Sequence, residues 1–167
     1  MQRELILVRH AKSSWKEHGI SDHDRTLNKR GKHDAPLMAG ILRGKDISPD
    51  LLISSTAERA KMTAEIFAEV YGIKKSQIQL FEDLYLADEN GLLENVHRIS
   101  NNVDTVFLFS HNPGITDFAN ALCNTDIINI PTCGIYHARF NAESWKDVEI
   151  GNGKFVEFDY PKNHYQE

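Results

Sequence analysis

Cysteine is scarce: Cys123 and Cys133 are the two thiols in 167 residues, and they form no C-x-x-C pair. That excludes a disulfide framework or a thiolate metal knuckle, and both thiols are expected to be reduced. No apolar run approaches the length that crosses a bilayer. Met1 to Glu4 lead straight into a strand pattern without the apolar stretch of an export signal, so a cytoplasmic location is expected. Basic charge is not in excess, since 19 Lys and Arg face 24 Asp and Glu for a net charge of −5. With no block of like charge, no nucleic-acid partner and no membrane surface are expected, and any anion must be met by a local cluster. Eight histidines show no H-E-x-x-H or other ligand spacing, so no metal site is expected. Repeats, low-complexity tracts and Pro/Gly/Ser linkers are also missing. Residues 1–160 are therefore expected to form one domain, with 161–167 a polar, frayed tail.

What is present is a series of short apolar runs alternating with helical patterns. Leu5-Ile6-Leu7-Val8 reads as a strand buried on both faces, because one wet face would impose alternation. Leu51–Ile53, Ile78–Phe81 and Thr105–Phe109 read as further strands, the last the most hydrophobic and so central. Asn28 caps a helix through Leu37–Leu42, where Pro36 implies a bend or a regular start only near Asp34. Ser55 and Glu58 have capping-box spacing for a second helix, with Met62, Ile66 and Val70 on its apolar stripe. Leu92, Leu93, Val96 and Ile99 mark a third. Asn112 as cap and Pro113 at the first helical position open a fourth. Near the end, Ile135–Phe140 has strand character, and Val148–Ile150 and Phe155–Phe158 flank a Gly151-Asn152-Gly153 turn signal. The expected architecture is α/β: a three-layer sandwich with a mostly parallel central sheet, helices on both faces and an antiparallel C-terminal hairpin.

Parallel strands end on one rim, which is where ligands bind in open α/β sheets. The sequence puts Arg9 and His10, Arg59 and His111 at three such strand-to-helix corners, with Arg25 in the long polar segment between residues 11 and 28. Two histidines with two or three arginines suit a dianionic phosphoryl group, because guanidinium presents paired donors to phosphate oxygens. A neutral imidazole is a competent nucleophile toward phosphorus, and neighbouring arginines disfavour its protonation. The expected reaction is phosphoryl transfer to His10 followed by release to water. Arg9, Arg59 and His111 then stabilise the oxygens, with no metal or other cofactor.

Arg9-His10-Ala11, Ser54-Ser55-x-x-x-Arg59-Ala60-x-x-Thr63-Ala64-Glu65 and Ser110-His111-Asn112-Pro113-Gly114, in that order, resemble the histidine phosphatase superfamily of phosphoglycerate mutase-like fold. Asp24-Arg25-x-Leu27, Leu84-Tyr85-Leu86-Ala87 and Pro131-Thr132-Cys133-Gly134 resemble its short SixA-like branch of phosphohistidine phosphatases. The resemblance implies that His10 is the phosphorylated nucleophile and that Arg9, Arg59 and His111 form the phosphate pocket. It also makes Arg25 a further phosphate contact, and Ser13 and Asn112 beside these motifs are expected to bind substrate.

Two positions depart from the family pattern. Ala11 stands where a glycine is usual, and no carboxylate occurs in Leu84-Tyr85-Leu86, where larger members place a general acid. A phosphoramidate nitrogen can leave already protonated whereas an alkoxide cannot, so the missing acid favours P–N substrates. The expected partner is a phosphorylated protein, such as a phosphorelay histidine domain, or a small phosphorylated metabolite. Alternatives are a phosphomonoesterase of the same fold using Asp22, Asp24, Glu82 or Asp83, and a module that binds phosphate without transferring it.

Overall fold

The computed structural model describes residues 1–16 and 18–166. Among them, six strands form one sheet: β1 (Gln2–Arg9), β2 (Leu51–Ser55), β3 (Gln79–Phe81), β4 (Thr105–Ser110), β5 (Ile135–Asn141) and β6 (Lys154–Asp159). Their order across the sheet is β3-β2-β4-β1-β5-β6. The first four run parallel; β5 is antiparallel to β1 and to β6. Four helices connect them: α1 (Lys29–Gly44), α2 (Glu58–Val70), α3 (Glu89–His97) and α4 (Gly114–Cys123).

The order of the strands dictates the layers. β1 to β2 and β2 to β3 move toward one edge, and β3 to β4 moves back. Right-handed crossovers therefore place α1 and α2 on one face and α3 on the other. The apolar runs fit this, since Leu5 to Val8 and Val106 to Phe109 are fully buried in the two central strands. Ile6, Val8 and Phe109 pack with Met38 of α1 and Phe67 of α2. Leu5, Leu7 and Leu108 pack with Val96 of α3 and Phe118 of α4. Each such side chain contributes roughly 1.5–3 kcal/mol by burial, which no polar residue in the run could match. No helix among the described residues is long and apolar enough to cross a membrane.

At the rear end of β1, Arg3 is fully buried. It donates to the carbonyls of Ala142, Asn101, Val103 and Glu143 and to the Asp104 carboxylate. A buried guanidinium is tolerable only when its donors are satisfied in this way.

Several local expectations are revised. α1 runs from Lys29 without a late start, and Asn28 caps it by accepting from the Gly31 N–H at 2.9 Å. Pro36 lies inside it on an exposed face together with Lys32, whose carbonyl loses its partner where water can replace it. The Ser55–Glu58 capping box does not form. α2 starts at Glu58 with Ala57 as cap, and the Ser55 hydroxyl instead accepts from the Ala57 N–H at 3.0 Å and meets His111. Asn112 does not cap α4, which begins at Gly114 behind Pro113.

The C-terminal antiparallel pair is β5 with β6, while Val148–Ile150 forms no strand. The Gly151 and Gly153 N–H groups bond to the Ala121 and Leu122 carbonyls, which ties that turn to α4 instead. Of the expected tail at 161–167, residue 167 lies outside the described residues; within the rest, Pro161 is buried and the Tyr165 hydroxyl donates to the buried Asp34 carboxylate of α1 at 2.8 Å.

Candidate active site

The carboxyl ends of β1, β2 and β4 bring His10, Arg59 and His111 together. β1 and β4 are adjacent and in register up to Arg9 opposite Ser110, so the residues that follow each strand leave side by side. The His10 and His111 rings lie 5.1 Å apart between centroids, tilted by 48°. His10, Arg59 and His111 are each 6–7 % exposed.

His10 is held by its backbone on both sides. Its N–H donates to the Ser110 carbonyl at 3.1 Å, and its carbonyl accepts from the Cys133 N–H at 3.0 Å. Its Nδ1 lies 2.8 Å from the Ala11 carbonyl, which can only accept, so Nδ1 carries the proton and Nε2 the lone pair. Ala11 occupies the usual glycine place without a left-handed backbone. It is fully buried, and its N–H donates to Thr63 Oγ1 at 3.0 Å. Thr63 in turn donates to the Arg59 carbonyl at 2.7 Å, which couples the His10 loop to α2.

Three buried polar atoms among the described residues have no hydrogen-bond partner: Arg9 Nε, Arg59 Nε and His111 Nδ1. Orphaned buried donors are rare because each forfeits its hydration. Three of them, on the residues gathered at one rim, describe a receptor for an anion. Arg9 is anchored by donating to the Ile130 carbonyl at 3.0 Å. The Ser55 hydroxyl lies 2.9 Å from His111 Nε2 and, already accepting from the Ala57 N–H, has its proton free to give to that nitrogen. That arrangement leaves Nδ1–H as the buried donor without a partner.

Both imidazoles are held neutral. Burial, more than its neighbours, drives His10 well below the ordinary histidine value; His111, Arg59 and Arg9 push the same way and its bond to Ala11 opposes them. Burial and then Arg59 depress His111 to about 3. Arg9 is lowered by burial and by Arg59, in keeping with two guanidiniums that share a pocket.

The pattern of strand ends did not single out Asp22. Its carbonyl accepts from Arg59 at 2.7 Å, and its carboxylate accepts from Arg59 at 3.1 Å and from Arg25 Nε at 3.1 Å. The Tyr85 hydroxyl also donates to that carboxylate. Tyr85 first, and then Arg59 and Arg25, hold the Asp22 carboxyl down at about 2. Of the other acids considered, Asp83 pairs with Arg98, and Asp24, on the same turn as Asp22, lies beside His23. Tyr85 stands edge-on to His111 at 5.6 Å and to His23 at 4.8 Å. Its place in Leu84-Tyr85-Leu86 was visible in sequence, but its contacts were not.

Ser13 accepts from Arg25 at 2.7 Å and is buried. The Asn112 amide donates to Asn129 Oδ1 and the Ile130 carbonyl while its oxygen accepts from Thr116, so it ties the start of α4 to the loop that anchors Arg9. A cavity of about 320 Å³ opens beside Arg59, His111, Tyr85 and Asp22. Among the described residues no cluster of three His, Cys, Asp or Glu could hold a metal ion.

A profile of the histidine phosphatase superfamily (branch 1) matches residues 5–99. An uncharacterized protein of Mycobacterium tuberculosis is 35% identical over 165 residues, covering 93% of this chain and 100% of that protein. A crystal structure from Agrobacterium tumefaciens, provisionally assigned as the phosphohistidine phosphatase SixA, superposes with a TM-score of 0.80 at 26% identity, covering 95% of this chain and 98% of the other. The protein histidine phosphatase SixA complexed with tungstate superposes with a TM-score of 0.81 at 22% identity, covering 96% and 98%.

Proposed function

The chain belongs to the histidine phosphatase superfamily, and from that premise we propose that it is a phosphatase that hydrolyses phosphohistidine in a protein through a phosphorylated His10. The reaction needs no metal in this reading. His10 Nε2 directs its lone pair at phosphorus; the new N–P bond forms as the substrate P–N bond breaks, and that electron pair stays on the leaving imidazole, which departs neutral because its other nitrogen already carries a proton. Water then attacks the phosphorus on His10. Its oxygen joins phosphorus, the N–P pair returns to Nε2, and one water proton passes to the phosphate oxygens. Arg9, Arg59 and His111 Nδ1–H stabilise the three equatorial oxygens as charge redistributes, and Arg25 and Ser13 lie next in line for the incoming group.

The observation that carries this reading is the set of three unpartnered buried donors around a neutral imidazole. The preference for P–N bonds rests on Asp22, the carboxylate that reaches these arginines. Held at about 2, it is ionised at neutral pH and has no proton for a departing alkoxide. The Tyr85 hydroxyl is already committed to Asp22. The Agrobacterium structure, similar along nearly the whole chain, supports the same substrate class.

The test is mass spectrometry under neutral, cold quench after mixing with a phosphohistidine peptide, with a phosphoserine peptide of the same sequence in parallel. Phosphate is expected on His10, at turnover at least tenfold above the serine ester. His10→Ala should show no phosphoenzyme and a loss of about 10³-fold or more. Turnover of the ester alone would overturn the P–N assignment.

A further inference from the structure

The segment that carries His10 out of β1 continues into a surface whose charge runs against that of the chain. A groove of about 570 Å³ is lined by Lys12, Lys16, Lys29, Arg30 and Lys32, with Trp15 on its wall, and none of the described residues that line it is a carboxylate. The chain as a whole carries a net charge of −5. Lys16, Lys29, Arg30 and Lys32 are exposed, and among the described residues no acid pairs with Lys12, Lys16, Lys29 or Lys32. Arg30 alone has an acidic neighbour, the buried Asp34 at 3.4 Å.

Two further features make this more than a solvated face. Lys29, Arg30 and Lys32 lie in the first turn of α1, which has no acidic residue there, although the partial positive charge at a helix start disfavours cations. Trp15 is 73% exposed, an unusual place for an indole, and Arg25 stacks over its ring at 3.5 Å. Arg25 also donates to Ser13 and to Asp22, so the groove and the catalytic pocket share a wall. The groove floor is built to be there. Ser13 bridges to Leu27, and the Asn28 N–H donates to the Lys12 carbonyl at 3.0 Å. Lys29 and Arg30 also border the cleft beneath the C-terminal segment, where Lys162 adds another cation.

We propose that this groove, Lys12, Lys16, Lys29, Arg30 and Lys32 around Trp15, docks an acidic protein segment that presents the phosphorylated residue to His10. The proposal rests on the phosphatase reading above and names its partner by charge. A cationic track beside the pocket raises encounter with acidic carriers, and it does so most at low ionic strength. A small neutral substrate gains nothing from it.

The experiment compares two phosphohistidine peptides, one with aspartate and glutamate flanks and one with serine flanks. Two phosphoserine peptides with the same flanks accompany them. For the unaltered enzyme at low salt, kcat/KM on the acidic phosphohistidine peptide is expected to be about tenfold or more higher, through KM, and to fall toward the serine-flanked value as salt rises. K12E/K16E/K29E/K32E should abolish or invert that advantage while turnover of the serine-flanked peptide stays within twofold. The unphosphorylated acidic peptide should inhibit competitively. Equal turnover of both flanks, or an equal loss on both in the variant, overturns the docking groove. Stronger competition by a single-stranded DNA oligonucleotide than by the acidic peptide overturns the protein partner. Hydrolysis of only the phosphoserine pair overturns the P–N assignment but still reads the groove through the flank preference and its reversal.

Discussion

Arg59 grips Asp22 twice, donating to its main-chain carbonyl at 2.7 Å and to its carboxylate at 3.1 Å. A guanidinium that the proposed mechanism gives to phosphate is thus shared with a protein anion. Asp22 sits on a short, exposed 3₁₀ turn, Asp22–Asp24, where a substrate can shift it. An ionised carboxylate at that point opposes an incoming dianion even as it orients Arg59.

D22N is therefore expected to tighten inhibition by inorganic phosphate two- to fivefold, about 0.4–1 kcal/mol, within the scale of half-exposed ion pairs. The inhibition constant at fixed ionic strength reads it. A weaker inhibition would mean that Asp22 chiefly orients Arg59.

His111 makes stability depend on pH in a calculable direction. Its folded value is about 3, so below pH 6.5 the unfolded chain binds a proton that the folded chain does not. Stability then falls as pH falls through that range. Between pH 7.5 and 5.5 the loss from this one residue approaches about 1.4 kcal/mol. Urea denaturation at the two pH values should show a loss smaller by that amount in His111→Asn.

Thr63→Val removes a hydroxyl that serves two buried backbone groups, the Ala11 N–H and the Arg59 carbonyl. The expected cost is about 1–3 kcal/mol, because the Ala11 donor is left without a partner. Turnover should fall in kcat more than in KM, since the His10 loop loses its hold on α2. Thr63→Ser, which keeps the hydroxyl, should recover most of both.

Gly114 opens α4 where the Ala87 carbonyl presses against it. A Cβ there would lie 2.0 Å from that oxygen. Gly114→Ala must push apart the segment carrying Tyr85 and the corner carrying His111. A stability loss of about 1–3 kcal/mol is expected by denaturant titration, together with lower activity.

The parts of the site legible in sequence were those fixed by chain direction. Arg9, His10 and His111 end or follow continuous apolar runs, and Arg59 opens the helix after another, so a parallel sheet alone gathers them. Asp22 was not legible in that way, because a residue in a long polar segment is placed by what it meets in space. Local signals failed where a tertiary partner outbid them. The Ser55 hydroxyl, free to cap in an isolated peptide, bonds to Ala57 and His111 instead. The Asn112 amide is drawn to Asn129 and Ile130, away from the helix start. Val148–Ile150 had strand residues but no free edge, since β6 already occupies the place beside β5. The C-terminal residues were polar, as a frayed end would be, yet Tyr165 finds a buried acid on α1.

β1 bears arginines at positions 3 and 9, and an even spacing turns both to one side of the sheet. The rear one is saturated by five acceptors, whereas the forward one keeps a nitrogen unmatched. The strand is thus bolted at its back, the end away from His10, which is what the proposed bond making at its tip requires. If His10 is the nucleophile proposed above, loosening Arg3, about 20 Å away at some 3.3 Å per residue, is expected to be felt as an imidazole out of line.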